Sequence, residues 1–483
     1  MIMGQKTSKI ISILFIAVVL AALMTLFSAS TSPFYPEYYG VDSAFFRFFG
    51  TEILKGKTPY TDIWDNKGPV LFFIQALGAA GGTRNSGTNI LFLLQLAAAF
   101  CSLFFMYRSD RILNGSKSAR LPFILYSLCT CLVLSQILES GNLTEEWSLP
   151  IIWLSLFLMT KYAVRADKEA EHPPLYAFLY GFCFGLLALI RLNNAITICA
   201  GVCCIGTYLI QKRKWKNLLL NLLCGLLGII TAAAPVVIWY AKRSALSDML
   251  YAVFLYNFKY LQHRSQESFS GMLFILRYFP IGSALLIIVI HWIRSREKRF
   301  FDILILVVFA VNSILLIRSN SFLHYFMIFV PVLFWIFAAY GNPMNIPELL
   351  ITLCLSAVFL YSGIRQIPNL LLTHRQDRPQ YTVTENIPPE ERSSAIAVHV
   401  PPSIYLNTGL EPVSRFCAYQ FIHFSVDPDM KTEFLEKISL TAPLWIITPC
   451  NPNANMPEVL DMIREKYHDE FNENDICFYR LNE

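Results

Sequence analysis

Long uncharged apolar runs constrain this chain more than any other feature of its sequence. The first, residues 10–28, holds no charged side chain and follows Lys6 and Lys9. About 20 apolar residues suffice for a helix to cross a bilayer. Only 15% of the residues are charged, against about 25% in soluble domains, so the sequence predicts a polytopic α-helical membrane protein. We expect run 10–28 to be retained, since it is long for a signal peptide.

Ten further apolar runs and one shorter stretch set the expected number of spans. The runs are residues 89–107, 121–138, 149–160, 175–190, 195–210, 217–240, 271–290, 303–317, 322–340 and 349–363. The shorter stretch, 70–80, lies between Pro69 and Gly81, and at about 1.5 Å per residue it does not reach across about 30 Å of hydrocarbon. We therefore predict about eleven transmembrane helices, with 70–80 lying along the outer interface.

Lysine and arginine indicate which loops face the cytoplasm. Fifteen of them occur in the 46 residues of loops 108–120, 161–175, 211–216 and 291–302. Only six occur in the 48 residues of loops 139–148, 191–194, 241–270 and 318–321. Because cytoplasmic loops carry the excess of positive charge, the first set should be cytoplasmic. The amino terminus is then cytoplasmic, and the first loop, 29–88, lies outside. The net charge of +5 belongs to these loops, and we expect no nucleic acid partner.

The composition changes near Arg365, where charge and proline replace the apolar runs. The pattern predicts strands at 395–400, 444–448 and 476–481 and amphipathic helices at 429–438 and 456–467. We therefore expect a transmembrane domain over 1–364 and a small C-terminal α/β domain over 365–483, placed on the outer face by the number of spans. Nine cysteines lie in apolar runs, and the three in the tail show no CxxC spacing, so we assign neither a zinc site nor a disulfide.

Polar residues without an obvious anchoring role gather on the predicted outer face. Loop 33–69 mixes acids, lysines and aromatic rings, which suits a site in the headgroup layer. Carboxylates there are available for proton transfer, and an arginine at membrane depth is a functional candidate by default. The candidates are Asp42, Asp65, Lys67, Glu145, Glu146, Arg191, Arg277 and His324.

One pattern carries a resemblance to a known class. Asp42 is followed by Pro59-Tyr60-x-Asp62-x-Trp64-Asp65-x-Lys67-Gly68-Pro69 and then by an acidic second outer loop. This order resembles the GT-C class of membrane glycosyltransferases, closest to the protein mannosyltransferase-like and aminoarabinose transferase-like enzymes of glycosyltransferase family 39. The resemblance covers roughly residues 1–365 and implies a GT-C-like fold.

The resemblance also implies roles for particular residues. Asp42 would be the catalytic base, Lys67 would contact the lipid phosphate, and Glu145 and Glu146 would be the second-loop acids. The chain departs from the mannosyltransferases in one respect, since Asp42-Ser43 stands where they carry an acidic pair. The pattern therefore supports neither a shared substrate nor a metal held by an acidic pair, and we expect no cofactor.

The expected activity is transfer of a sugar from a polyprenyl-phosphate donor to a cell-envelope glycan, lipid or protein on the outer face of the cell membrane. Such a transfer needs a carboxylate to take the acceptor proton and cations to stabilise the phosphate that leaves. We assign the first role to Asp42. The donor phosphate and lipid are assigned to Lys67, Arg191 and Arg277. Supporting or acceptor-binding roles go to Asp65, Glu145, Glu146 and His324.

Other interpretations stay open at this point. A glycan polymerase or oligosaccharide ligase would share the lipid-linked donor and the outer face. A non-catalytic transport or assembly protein is a further alternative, although a transporter would carry midplane charges and internal repeats that we do not find in the sequence. Structural roles also compete for single residues: Asp42 as a solvated acid, Lys67 as a headgroup anchor, Asp65 as its ion-pair partner, Glu145 and Glu146 as helix caps, Arg191 as a snorkelling side chain and His324 as an interfacial ring.

Overall fold

The structure is a computed structural model of the chain. It describes residues 2–35, 39–82, 84–115, 121–262, 272–295, 299–318, 322–341 and 379–482, together with single residues and short stretches between 350 and 365. The chain divides into two compact units, each built from separate stretches of sequence. The first unit comprises Met1–Phe34, Phe92–Val236 and Ser265–Pro368, and the second comprises Tyr35–Leu91, Val237–Arg264 and Asn369–Glu483.

Helices dominate the described residues, as the apolar runs predict. Up to residue 341 they are α1 (Ile2–Phe27), α2 (Val41–Leu54), α3 (Pro69–Ala79), α4 (Arg84–Asn114), α5 (Leu121–Ile137), α6 (Thr144–Ala166), α7 (Pro174–Arg191), α8 (Ile196–Gln211), α9 (Trp215–Ala241), α10 (Leu246–Leu250), α11 (Tyr256–Gln262), α12 (Met272–Arg294), α13 (Phe300–Arg318) and α14 (Val330–Tyr340). Short 3₁₀ segments precede α8 and α14, and a π-turn separates α10 from α11.

Seven helical stretches among the described residues are long and apolar enough to cross a membrane. They are Lys9–Phe27, Thr88–Asn114, Thr144–Ala166, Pro174–Gln211, Trp215–Ala241, Phe300–Arg318 and Leu323–Tyr340. Helix α9 carries an apolar face that the other described parts of the protein do not cover, since Leu219, Leu222 and Leu226 are each more than half exposed. A soluble protein rarely exposes such a continuous apolar face. The chain is a multi-pass membrane protein.

The exact count of eleven spans stays a prediction. The stretch Pro174–Gln211 contains both predicted spans 175–190 and 195–210, separated by the 3₁₀ turn Leu192–Ala195. Helix α5 and the apolar part of α12, Tyr278–Arg294, are shorter than the seven. Most of the predicted span 349–363 lies outside the described residues.

In the second unit, helices α2 and α3 pack closely against each other. The Phe49 and Phe72 rings stack with their centroids 4.0 Å apart. At Gly50 a Cβ atom would lie 2.5 Å from the backbone carbon of Gln75, so this contact requires glycine. Helix α3 coincides with the predicted short stretch 70–80, and its place at the interface stays a prediction. The pair α2 and α3 frames the loop that carries Asp65 and Lys67.

The tail, also in the second unit, forms a small α/β fold with a mixed four-stranded sheet. Its strands are β1 (Ala395–Ala397), β2 (Trp445–Pro449), β3 (Tyr467–Glu473) and β4 (Ile476–Leu481), in the order β1-β2-β4-β3. Strand β1 runs parallel to β2, and the other neighbours are antiparallel. Its helices are α15 (Pro379–Asn386), α16 (Gln420–Val426), α17 (Pro428–Thr441) and α18 (Pro457–Lys466).

The tail confirms three predicted strands and two predicted helices, and it adds a strand that the sequence pattern missed. Strand β3 reads YHDEFNE, and Tyr467 is its only buried residue. Such a polar edge strand has no apolar alternation by which to recognise it. This segment is recognised as a strand only through its pairing with β4.

A disulfide between Cys450 and Cys477 corrects the sequence analysis, which assigned none. Strand β2 ends at Pro449, and the register of β2 with β4 pairs Thr448 with Cys477. Cys450 follows directly and therefore reaches Cys477, although 27 residues separate the two in sequence. Spacing alone does not show this pairing, because it is created by the sheet register.

Candidate functional site

Asp42 lies in the first turn of helix α2, in the second unit. It is half-buried, and its Oδ1 accepts a hydrogen bond from the hydroxyl of Tyr419 in the tail. Burial of Tyr419, together with the negative charge of Asp42, raises the pKa of this phenol well above its ordinary value. The phenol therefore stays protonated and acts as the donor to the carboxylate. The structure thus places a tail residue on the predicted catalytic base.

Lys67 pairs with Asp65 in the loop before helix α3. Asp65 is fully buried, and its Oδ1 accepts from the backbone N–H of Asn66 at 2.6 Å and from Lys67 Nζ at 3.3 Å. Burial raises the pKa of Asp65, while the ammonium of Lys67 opposes the shift and the charge of Asp42 adds to it. The ion pair considered in the sequence analysis is present, and it directs the Lys67 side chain.

Side-chain hydrogen bonds hold this loop in place. Tyr60, at a φ of 76°, is fully buried and donates its hydroxyl to the Lys67 carbonyl at 2.7 Å. A positive φ is unusual for a bulky residue and indicates a conformation imposed by its surroundings. The Asn66 and Asn257 side chains are hydrogen-bonded at 3.0 Å, which ties the loop to helix α11. Asn257 also donates to the backbone carbonyl of Asn66 at 2.9 Å.

The tail segment 414–427 packs against the same loop. The backbone N–H of Trp64 donates to the Arg415 carbonyl at 2.8 Å, and the Arg415 guanidinium donates to the Tyr60 carbonyl at 3.0 Å. The Trp64 ring contacts His423 edge to face. Burial, with a smaller contribution from the charge of Lys67, lowers the pKa of His423 to about 3, so this ring is neutral. The tail segment thus contacts the loop through backbone and side-chain groups.

Tyr419 brings the predicted base and the predicted phosphate ligand together. Its hydroxyl contacts Asp42, and the Lys67 ammonium lies 5.9 Å from the centroid of its ring, within cation–π range. The Phe45 ring meets the Tyr419 ring edge to face at 5.7 Å. A carboxylate and an ammonium thus flank one tyrosine, with Asp65 buried behind the ammonium.

In the first unit, Glu145 and Arg191 form a second ion pair. Arg191 donates from Nη1 to Glu145 Oε1 at 2.5 Å and from Nη2 to the Tyr325 hydroxyl at 2.7 Å. Its guanidinium also lies 4.4 Å from the Tyr325 ring centroid. Glu145 is 2% exposed and receives the Thr144 hydroxyl as well. Both terminal nitrogens of Arg191 therefore contact protein groups, and its role as a phosphate ligand stays a prediction.

Glu146 is buried beside an apolar groove in the first unit. Its two oxygens accept from Gln95 Nε2 at 2.8 Å each, and Oε2 also accepts from the backbone N–H of Asn142. Gln95 contacts Thr31 in turn. Apart from Glu146, Gln95 and a few hydroxyl side chains, the groove is lined by apolar residues of α1, α4, α5 and α6. The bond to Asn142 is consistent with the capping role left open above.

His324 and Arg277 are the two remaining candidates. His324 Nδ1 lies 2.6 Å from Glu139 Oε2, and the other oxygen of Glu139 accepts from the backbone N–H groups of Leu323 and His324. Glu139 thus caps this 3₁₀ segment. Arg277 belongs to helix α12, but its side chain lies outside the part of the chain that the structure describes.

The structure adds residues to the site that sequence reasoning missed. Tyr419, His423 and Arg415 lie more than 340 positions after Asp42 in the chain. An ordinary tyrosine or histidine in a predicted loop carries no signal of such a contact. Within the described ranges, no group of three or more His, Cys, Asp or Glu side chains is arranged to hold a metal ion.

Comparison with known proteins gives one family match and several structural matches. The family described as competence-induced protein Ccs4 N-terminal domain matches residues 3–342. No curated protein sequence matches the chain. ArnT from Cupriavidus metallidurans bound to undecaprenyl phosphate superposes with a TM-score of 0.61 at 12% identity, covering 96% of this chain and 97% of that one.

A second structural match superposes less closely and covers a smaller share of the matched chain. The archaeal oligosaccharyltransferase AglB from Archaeoglobus fulgidus, in complex with an inhibitory peptide and a dolichol-phosphate, has a TM-score of 0.53 at 13% identity, covering 97% of this chain and 74% of that one. ArnT and AglB are membrane glycosyltransferases of the GT-C class. At these identities the likeness establishes the fold, and it confirms the GT-C-like architecture predicted from the first outer loop.

Proposed function

The chain belongs to the competence-induced protein Ccs4 N-terminal domain family, and we propose that it is a membrane glycosyltransferase that takes its sugar from a polyprenyl-phosphate donor. The observation that carries this proposal is the pairing of Asp42 and Lys67 across Tyr419. The fold supports it, since ArnT was solved with undecaprenyl phosphate and AglB with a dolichol-phosphate. The acceptor would be a glycan, lipid or protein of the cell envelope.

In the proposed reaction the acceptor hydroxyl oxygen attacks the anomeric carbon of the donor sugar. The bond from that carbon to the phosphate oxygen breaks, and the phosphate leaves with the electron pair. Asp42 takes the hydroxyl proton, as a general base does in inverting transfer. Because Asp42 is half-buried and belongs to a helix, its carboxylate is held in a defined position while remaining accessible to an acceptor.

Lys67 would stabilise the leaving phosphate, on which negative charge builds as the bond breaks. The Lys67 ammonium pairs with the Asp65 carboxylate, which orients it and so supports a contact with the leaving phosphate. Arg277 and Arg191 stay proposed as further phosphate or lipid contacts.

Asp42→Asn tests the catalytic proposal. Deleting the protein and comparing cell-envelope glycans by mass analysis first identifies the product. Removing a general base typically lowers the rate by about 10²–10⁴-fold, so Asp42→Asn should abolish that product while the protein still inserts. Asp461→Asn is the control, since Asp461 is an exposed acid of the tail. Full product from Asp42→Asn would show that Asp42 is not the base.

Lys67→Ala tests the phosphate contact with undecaprenyl phosphate itself as the probe. A hydrogen bond to a charged group contributes about 1.5–3 kcal/mol, so the dissociation constant should rise about 10- to 100-fold. Lys259→Ala is the matched control, because Lys259 pairs with Asp427 on the tail. Unchanged binding by Lys67→Ala would return Lys67 to the anchoring role.

We also propose that the amino terminus is cytoplasmic and that domain 365–483 is extracytoplasmic. The disulfide between Cys450 and Cys477 supports this, since disulfides persist in oxidising compartments. An impermeant maleimide on intact cells should label Ser439→Cys, an exposed position on α17, and spare Lys212→Cys in loop 211–216. The reverse pattern would overturn the proposed orientation.

Transfer of a preassembled oligosaccharide is the second candidate, favoured by the structural match to AglB. Lipid donors bearing one sugar and several sugars distinguish the two activities when they are supplied to the reconstituted protein. A non-catalytic assembly role predicts instead that Asp42→Asn retains the full envelope glycan.

A further inference from the structure

Tyr419 is the point at which the tail reaches Asp42. Its hydroxyl donates to Asp42 Oδ1, and no described residue donates a hydrogen bond to Oδ2. The raised pKa of Tyr419, caused by burial and the charge of Asp42, keeps the phenol a donor at any physiological pH. One carboxylate oxygen is therefore held by Tyr419, whereas the other accepts no hydrogen bond from the described residues.

The backbone at Tyr419 shows that this contact is imposed by the fold. Tyr419 adopts a φ of 53°, in the left-handed region that a bulky residue seldom occupies. It directly precedes helix α16, and the next residue, Gln420, is anchored through its side-chain amide to the Ala397 and Phe416 carbonyls. Strained conformations of this kind persist where the surroundings determine them, and they cluster at functional sites.

The ring of Tyr419 is held as firmly as its hydroxyl. Phe45, from the same helix as Asp42, packs edge to face on it, and the ammonium of Lys67 lies over it. Two charged groups of the proposed mechanism thus contact one side chain of the tail.

We propose that Tyr419 is a positioning residue for Asp42, holding Oδ1 so that Oδ2 meets the acceptor hydroxyl. This inference rests on the proposed glycosyl transfer with Asp42 as its base. The acceptor O–H proton goes to Oδ2, the acceptor oxygen bonds the anomeric carbon, and the phosphate leaves with the electrons of the broken bond. Tyr419 itself exchanges no proton and touches no substrate. The C-terminal tail then supplies part of the reaction centre.

Tyr419→Phe tests the inference, because it keeps the ring and removes only the hydroxyl. Initial rates are measured in proteoliposomes with the lipid extract of the deletion strain, in which unused donor accumulates, over a range of extract concentrations. We expect the maximal rate to fall about 10- to 100-fold, with half-saturation and undecaprenyl phosphate binding unchanged. Tyr467→Phe is the control, since Tyr467 also buries its ring and donates to a backbone carbonyl, of Pro443.

The double variant Asp42→Asn with Tyr419→Phe separates positioning from a structural effect. A residue that acts only through Asp42 adds no further loss once that carboxylate is gone. Three outcomes would overturn the inference while leaving the proposed function intact. They are a loss that adds to that of Asp42→Asn, a wild-type rate from Tyr419→Phe, and a rate above wild type from Tyr419→Phe. A wild-type rate from Asp42→Asn would overturn both.

Discussion

Replacing Arg191 tests whether its pair with Glu145 is primarily structural. Glu145 is 2% exposed, whereas the Arg191 side chain is 20% exposed and reaches solvent more easily. Arg191→Met leaves the Glu145 carboxylate buried without its cation. Breaking a buried pair by removing one partner costs about 3–5 kcal/mol, and the lost contact with the Tyr325 ring adds about 0.5–1 kcal/mol. We expect a loss of about 4 kcal/mol in the free energy of unfolding.

The converse substitution should be milder. In Glu145→Gln the arginine can turn toward solvent, so a loss of about 1.5 kcal/mol is expected. The double variant Glu145→Gln with Arg191→Met removes both charges and should recover most of the stability, because no buried charge stays unpaired. Unfolding is followed by tryptophan fluorescence during an SDS titration in mixed micelles.

The outcome distinguishes the two roles of Arg191. A structural role predicts that the double variant regains both stability and transfer. A phosphate-binding role predicts that it regains stability but not transfer. If Arg191→Met alone unfolds at the wild-type SDS concentration, then the buried-pair reasoning is refuted, whatever the transfer assay shows.

Three further predictions follow from the contacts described above. Gly50→Ala should destabilise the protein by about 1–3 kcal/mol, because the new Cβ meets the Gln75 backbone, whereas Gly282→Ala, whose Cβ would meet no described atom within 4 Å, should not. Cys450→Ser removes the disulfide that links residues 27 positions apart and so restricts the unfolded chain. The free energy of unfolding should fall by about 3.5 kcal/mol, seen as a lower thermal midpoint. Because the folded pKa of His423 is about 3 and the unfolded value is about 6.5, stability should fall by up to about 1.4 kcal/mol per unit as pH drops below 6.5, and His423→Gln should reduce that slope.

The sequence was sufficient for the architecture, because hydrophobicity acts locally along the chain. The apolar runs predicted helices such as α9 and α13 close to their observed bounds. Apolar alternation predicted strands β2 and β4, and the mixture of charged and aromatic residues distinguished loop 33–69 from the apolar runs around it. Asp42, Asp65 and Lys67 were also singled out as candidates from sequence, since their charge is conspicuous beside apolar spans, and the roles assigned to them stay predictions.

Contacts between distant parts of the chain required the tertiary structure. The partner of Asp42 is Tyr419, 377 positions later, and the partner of Trp64 is Arg415. Strand β3 and the Cys450–Cys477 disulfide were likewise missed, because each exists only through the register of β4 with its neighbours. Local composition reports whether a residue prefers lipid or water. The contact partners of a residue such as Asp42 depend on how distant segments of the second unit pack together. Packing, rather than the residue's own chemistry, decides these contacts.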